Sequence, residues 1–256
     1  PWLTFARMPT LRTPKHVQGP DFGLPSLSIR AYVEATEGAA AWERMTFVPR
    51  ETWARYLGWY RRVLSLPVEN ETRAGPLHYV PDERCFAVPL EGPGGRRTVH
   101  ARTVVLATGI DGAGAWHVPD AIRRALPRAL YAHTHEPIAF EALRGKRVAV
   151  LGAGASAFDN AACALEAGAA AVGLFFRRAE LVRVNPYRWA EFVGFLKHHG
   201  DLADAERWRF ARQILVMGQL PPADTFARAT AHRAFRLHPG EPWTSVRAEG
   251  REVVIH

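Results

Sequence analysis

The tightest constraint on this chain is a stretch that begins at Gly145. Within it, Lys146-Arg-Val-Ala-Val-Leu151 is a β-rich apolar run, Gly152-Ala-Gly-Ala-Ser156 is a run of small residues, and 157–167 carries a helical pattern. Gly168 then stands where a helix C-cap belongs, and Ala171-Val-Gly-Leu-Phe-Phe176 is a second apolar run. Strand, tight turn, helix and strand make a βαβ unit of about 33 residues, the size that a parallel crossover requires. The match Gly152-x-Gly154-x-x-Ala157 falls between the first strand and the helix, the context in which such a fingerprint has a mechanism. Gly152 permits the tight turn, Gly154 removes a Cβ where a pyrophosphate must approach the backbone, and Ala157 lets the helix pack closely on the strand. The amides near Ala155 and Ser156, at the positive end of the helix, then face the phosphates. Ser156 is placed to cap the helix, to bind phosphate, or to do both.

The second strand ends in Phe176-Arg177-Arg178, where an NAD site would usually carry Asp or Glu for the ribose hydroxyls. An arginine there favours the 2'-phosphate of NADP by charge and planar hydrogen bonding, so NADP(H) is the expected cofactor. The other reading is that both arginines only cover the sheet edge. A second glycine cluster, Gly109-Ile-Asp-Gly112-Ala-Gly114, also follows an apolar run. His117 stands third after Gly114, and Trp116 and Pro119 do not open an amphipathic helix, so this cluster reads as a crossover loop.

The rest of the chain fits an α/β protein. Helical periodicity runs over 28–42, with Gly38 making its end uncertain, and more clearly over 51–64. In the latter, Trp53, Tyr56, Leu57, Tyr60, Val63 and Leu64 form a stripe that reads as core. Runs at 77–80, 85–90 and 98–101, with Gly92-Pro-Gly-Gly95 between the last two, predict a small antiparallel meander. Thr103-Val-Val-Leu-Ala-Thr-Gly109 predicts a buried parallel strand that stops at a ligand-facing loop. Helices are expected over 188–199 and 201–217, with His198 and His199 serving the helix C-terminus rather than a metal.

Composition narrows the partners. Lys and Arg number 33 against 25 Asp and Glu, a formal +8. Only Lys15, Lys146 and Lys197 are lysines, and the arginines are dispersed, as a GC-rich coding bias would leave them. No basic run of the nucleic-acid type appears, so nucleic acid is not an expected partner. No apolar run approaches the ~18 residues of a membrane span. Cys85 and Cys163 lie far apart without a C-x-x-C, which indicates neither a disulfide framework nor a zinc site and suits a reducing, cytoplasmic setting. No Ser/His/Asp or Cys/His arrangement stands out, and no Tyr stands four residues before any lysine, as a Tyr-x-x-x-Lys dehydrogenase would need.

Ala107-Thr-Gly109 closing a strand, then Gly145-Lys-Arg-Val-Ala-Val-Leu-Gly-Ala-Gly-Ala-Ser-Ala-Phe-Asp159, then Arg177-Arg178, resembles the flavin-containing monooxygenase group of FAD- and NADPH-dependent flavoproteins. The likeness is closer to a branch of bacterial FAD/NAD(P)-dependent oxidoreductases. It extends to Met8-x-Thr-Leu-Arg-Thr-Pro-Lys15 with Gly19-Pro20, to the aromatic helix, and to Asp159-Asn-Ala-Ala-Cys-Ala-Leu-Glu166, and so covers nearly the whole chain. The resemblance implies a Rossmann-like NAD(P)-binding domain with a parallel sheet, over 118–256 and including a helical insertion. It implies an incomplete FAD-binding portion over 1–117, containing the meander, with Thr108 and Gly109 at the junction. Arg12 and Lys15 would touch flavin or nicotinamide phosphate, or form an ordinary basic loop. In such enzymes NADPH reduces the flavin, and the reduced flavin with oxygen oxygenates a small organic substrate. No strand-Gly-x-Gly-x-x-Gly-helix for FAD precedes Trp2, no initiator Met is present, and the chain ends at Ile255-His256, so truncation at both ends is expected. The alternative is an NADP(H)-binding module or flavoprotein fragment without catalysis of its own. The sequence leaves the substrate and oligomeric state open.

Overall fold

The computed structural model describes residues 2–17, 19–109, 114–190 and 192–256. Its contacts group Pro1–Trp59 with His117–His256 in one unit and Tyr60–Trp116 in another. In the larger unit, β1 (Thr10–Pro14) pairs antiparallel with β2 (Phe47–Pro49). Helix α1 (Ile29–Glu37) starts at Ser28, whose hydroxyl accepts the Ala31 N–H at 3.2 Å. A side-chain cap of this kind satisfies an amide that has no partner within the helix. Gly38, at φ 88, then splits the periodic stretch, and α2 (Ala39–Arg44) follows as a separate short helix. Helix α3 (Arg50–Val63) buries Trp53, Tyr56 and Tyr60, so its aromatic stripe is core. Tyr56 keeps its hydroxyl satisfied by donating to Leu27 O at 2.8 Å.

The smaller unit is the expected meander with one extra strand. Strand β5 (Cys85–Gly92) pairs antiparallel with β3 (Arg73–Ala74), β4 (His78–Val80) and β6 (Gly95–Ala101). The run 103–109 departs from expectation. It is not a strand; Val105 is 82% exposed and Leu106 71%. The reason is that a parallel strand persists only between neighbours that complete its hydrogen bonds and cover its faces. None of the described residues does so here. Residues 110–113 of the second glycine cluster lie outside the described residues.

After α4 (Asp120–Ala125), the βαβ unit forms where its pattern lies. Strand β7 (Arg147–Leu151), helix α5 (Ala155–Glu166) and β8 (Ala171–Phe176) follow in order, with β7 and β8 parallel from Arg147↔Ala171 to Leu151↔Phe175. Helices α6 (Tyr187–Ala190), α7 (Val193–His198), α8 (Asp204–Met217) and α9 (Ala223–Thr230) precede β9 (Phe235–Pro239), which joins β8 on its other side. Strand β8 is therefore central, and its burial alternates: Val172, Leu174 and Phe176 pack into a core with Phe158, Ala161 and Leu165 of α5 and Ala229 of α9. Leu174 and Phe158 expose nothing. Burying a side chain of that size contributes about 1.5–3 kcal/mol. The hairpin β10 (Val246–Glu249) and β11 (Glu252–Ile255) packs with Ile122 of α4 and with Leu126, its C-cap.

The larger unit resumes at His117, and its first 59 residues group with the second half of the chain. Half-buried polar contacts join the two stretches. Arg7 donates to Glu136 O at 2.6 Å, Arg228 donates to Arg7 O at 3.3 Å, and Arg12 pairs with Asp159 on α5.

Candidate functional site

The backbone between β7 and α5 has the form that the fingerprint requires. Gly152 sits at φ 126, a conformation that L side chains rarely adopt, and its N–H donates to Phe175 O at 2.8 Å, continuing the pairing of β7 with β8. A Cβ on Gly154 would meet nothing within 4 Å, so this residue faces open space. Gly154 is the N-cap of α5 and supplies no side chain to the helix end. Its carbonyl accepts from Ala157 at 3.0 Å and Phe158 at 3.3 Å, while the Ala155 and Ser156 amides have no backbone acceptor among the described residues. Two free amides at a positive helix end, beside a residue without a side chain, form a cradle for an anion. Ser156 is exposed and does not cap the helix. Ala157 is 6% exposed and packs into the core, the close-packing role expected of it.

Because Leu151 is in register with Phe175, the glycine turn and the Phe176-Arg177-Arg178 corner leave the sheet at the same edge. The two arginines differ there. Arg178 donates from Nη1 to Met217 O at 3.0 Å and from Nη2 to Val216 O at 2.9 Å, holding the last carbonyls of α8. A cation at a helix C-terminus is a stabilising arrangement in its own right. Arg177 is exposed and makes no hydrogen bond or ion pair with described residues. Beyond this corner lies an apolar groove of about 570 Å³ walled by Phe176, Leu181, Leu220, Phe226 and Leu237.

Arg12 is ion-paired with Asp159, which is 4% exposed and also accepts from Thr225 Oγ1 at 3.0 Å. Arg228 stands 3.6 Å from the same carboxylate while gripping Glu166 at 2.8 Å. Burial pushes the Asp159 carboxyl up, and Arg12, Thr225 and Arg228 oppose that rise. Lys15 donates to Trp42 O at 2.7 Å and lies 4.9 Å over the Trp42 ring. Both cations thus hold the N-terminal segment in place. Thr108 and Gly109 belong to the smaller unit, where both are exposed and Gly109 has φ 80. His198 pairs with Asp201 at 2.8 Å. The structure thus gathers Gly152, Gly154, Ala155, Ser156, Ala157, Arg177 and Arg178 at one sheet edge. The acceptor Asp159 and the third strand β9 were missed from sequence; Phe235 and Leu237, alternating before Pro239-Gly240, were the available signal for β9.

Comparison with known proteins agrees with this architecture. The chain is 45% identical over 257 residues to an FAD-dependent urate hydroxylase of Xanthomonas campestris pv. campestris, matching 100% of this chain and 53% of that protein. It therefore spans about half the length of that relative. Among solved structures, it superposes on an ornithine hydroxylase from Pseudomonas aeruginosa with a TM-score of 0.74 at 12% identity, over 98% of this chain and 65% of that one. An FAD-bound cadaverine monooxygenase from Erwinia amylovora gives 0.69 at 15% identity, over 96% and 61%. At these identities the structural matches carry the fold alone. The sequence model for L-lysine 6-monooxygenase/L-ornithine 5-monooxygenase matches residues 41–192, more than half of the chain, and the protein belongs to that family.

Proposed function

We propose that this chain is the NADPH-reading part of an FAD- and NADPH-dependent monooxygenase that acts on a small, nitrogen-bearing organic molecule. The observation that carries the reading is the pairing of an open glycine turn and two free helix amides with the unpartnered Arg177 at the same sheet edge. The Ala155 and Ser156 amides hold the pyrophosphate, Gly154 leaves room for it, and Arg177 takes the 2'-phosphate. Arg178, committed to α8, fixes the corner from which Arg177 projects. When bound, NADPH supplies a hydride to the flavin, which in turn supplies oxygen activation toward the substrate.

FAD and the substrate class rest on the relatives, which are named for FAD and for urate, lysine, ornithine and cadaverine. Among the described residues there is no second strand, glycine turn and helix of this kind to hold the FAD pyrophosphate. Thr108, Gly109, Arg12 and Lys15 belong to the proposal as supporting residues of the flavin side. No nucleic acid is part of the reading, and a reducing compartment is proposed from the two free cysteines. No helix among the described residues is long and apolar enough to cross a membrane.

Fluorescence titration of the 256-residue chain with NADPH and NADH tests the nucleotide half of the proposal. NADPH should bind more tightly, and Arg177→Ala should erase the preference. Equal affinities in the wild type would refute it. For the whole protein, absence of FAD-dependent NADPH oxidation would remove the monooxygenase half and leave an NADP(H)-binding module.

A further inference from the structure

Away from the glycine turn, three side chains of the smaller unit converge on one point. Glu83 lies in the turn between β4 and β5, which closes through Arg84 N–H donating to Pro81 O at 3.2 Å. Cys85 opens β5, and His100 stands on β6 opposite Ala87. Cys85 and Ala87 share one face of the pleated strand, so His100 is diagonal to Cys85, a separation that a long side chain spans. His100 Nδ1 comes 2.8 Å from Glu83 Oε2 and 3.6 Å from Cys85 Sγ, and Sγ is 3.4 Å from the same carboxylate oxygen. Among the described residues, this is the one group of three or more His, Cys, Asp or Glu donors close enough to share an ion, all within 4.8 Å of one another.

Those spacings are close to the edges of a metal tetrahedron. Bonds of about 2.3 Å to sulfur, about 2.0 Å to imidazole and about 2.1 Å to carboxylate put S···N and S···O near ~3.6 Å and N···O near ~3.4 Å. The two sulfur edges already fit, and the third opens when the His100–Glu83 hydrogen bond is exchanged for two metal bonds. Both of those side chains are free to adjust, being 50% and 57% exposed. Cys85 is 6% exposed, while His100 and Glu83 stand open to the water that would supply a fourth ligand. Sulfur, imidazole and carboxylate together suit zinc and exclude the all-oxygen preference of magnesium and calcium.

We propose that Glu83, Cys85 and His100 form a three-ligand site for a zinc-class divalent cation, stapling the β4–β5 turn to β6. The sulfur–metal bond forms as the thiol proton leaves to solvent, and water completes the coordination. The Glu-x-Cys spacing with a distant His matches no sequence signature of a zinc site; strand pairing alone assembles it. This proposal is independent of the nucleotide reading.

Titration of the chain with CoCl2, followed by displacement with ZnCl2, tests it. One equivalent of cobalt should give a sulfur-to-cobalt absorption band in the near ultraviolet, lost on adding zinc, and zinc should raise the thermal midpoint. Cys85→Ser and His100→Ala should each weaken zinc binding by at least about 100-fold, the upper range already seen for outer-shell losses. Cys163→Ser should leave binding unchanged. His100 is half exposed, so His100→Ala keeps the test alive if Cys85→Ser fails to fold. Absence of the band, or a band that survives both substitutions and disappears in Cys163→Ser, would overturn the proposal.

Discussion

Two apolar runs of similar composition meet different fates. Ala171-Val-Gly-Leu-Phe-Phe176 becomes β8, bonded on both edges by β7 and β9 and covered on one face by α5 and α9. Thr103-Val-Val-Leu-Ala-Thr-Gly109 forms no strand and is mostly exposed, with no strand beside it among the described residues. A strand is thus a property of the neighbourhood as much as of the run. Half-buried pleated surface and paired amides supply its stability, and propensity alone does not.

The same substitution in both runs gives the most direct test of that contrast. Leu174→Ala should lower unfolding free energy by about 2–5 kcal/mol, the range for emptying a filled core site, as read from urea denaturation. Arg12→Ala should follow, at about 2–4 kcal/mol, by leaving the buried Asp159 carboxylate undercompensated. The lower end is favoured because the Arg12 side chain is 27% exposed and Arg228 remains 3.6 Å from Asp159. Its pH dependence has a definite sign. Removing Arg12 raises the folded-state pKa of Asp159 further, so the deficit against wild type is full at neutral pH. It shrinks as acid protonates the carboxyl, and a deficit that grew on acidification would contradict the pairing. Arg177→Ala should weaken NADPH binding by about 1–3 kcal/mol and leave NADH nearly unchanged, since charge-assisted hydrogen bonds to the 2'-phosphate are all it removes. Leu106→Ala should be the smallest effect, within about 0.5 kcal/mol in this chain. A loss matching that of Leu174→Ala would show that 103–109 is packed after all.

Much of the glycine site was legible because its information is local. Turn, helix start and both strands lie within one βαβ unit, where periodicity and small-residue placement report directly on backbone geometry. The aromatic stripe of α3 and the meander were legible for the same reason. Less visible was which arginine would remain free. Arg177 and Arg178 are adjacent, and only the approach of α8, whose carbonyls at Val216 and Met217 capture Arg178, separates their roles. The pairing of Arg12 with Asp159 is invisible in the sequence because the two stand 147 residues apart.

Contiguous residues suffice for the parallel βαβ unit and its open glycine turn, since hydrogen-bonded turns, helix ends and small-residue packing are local. Long-range packing set which charges have protein partners. It committed Arg12, Lys15 and Arg178 to protein partners, left Arg177 open, gathered Glu83, Cys85 and His100, and left 103–109 unpaired. The physical reason is that a buried charge or a strand must find its partner somewhere in space. The identity of that partner depends on chain segments far apart in sequence.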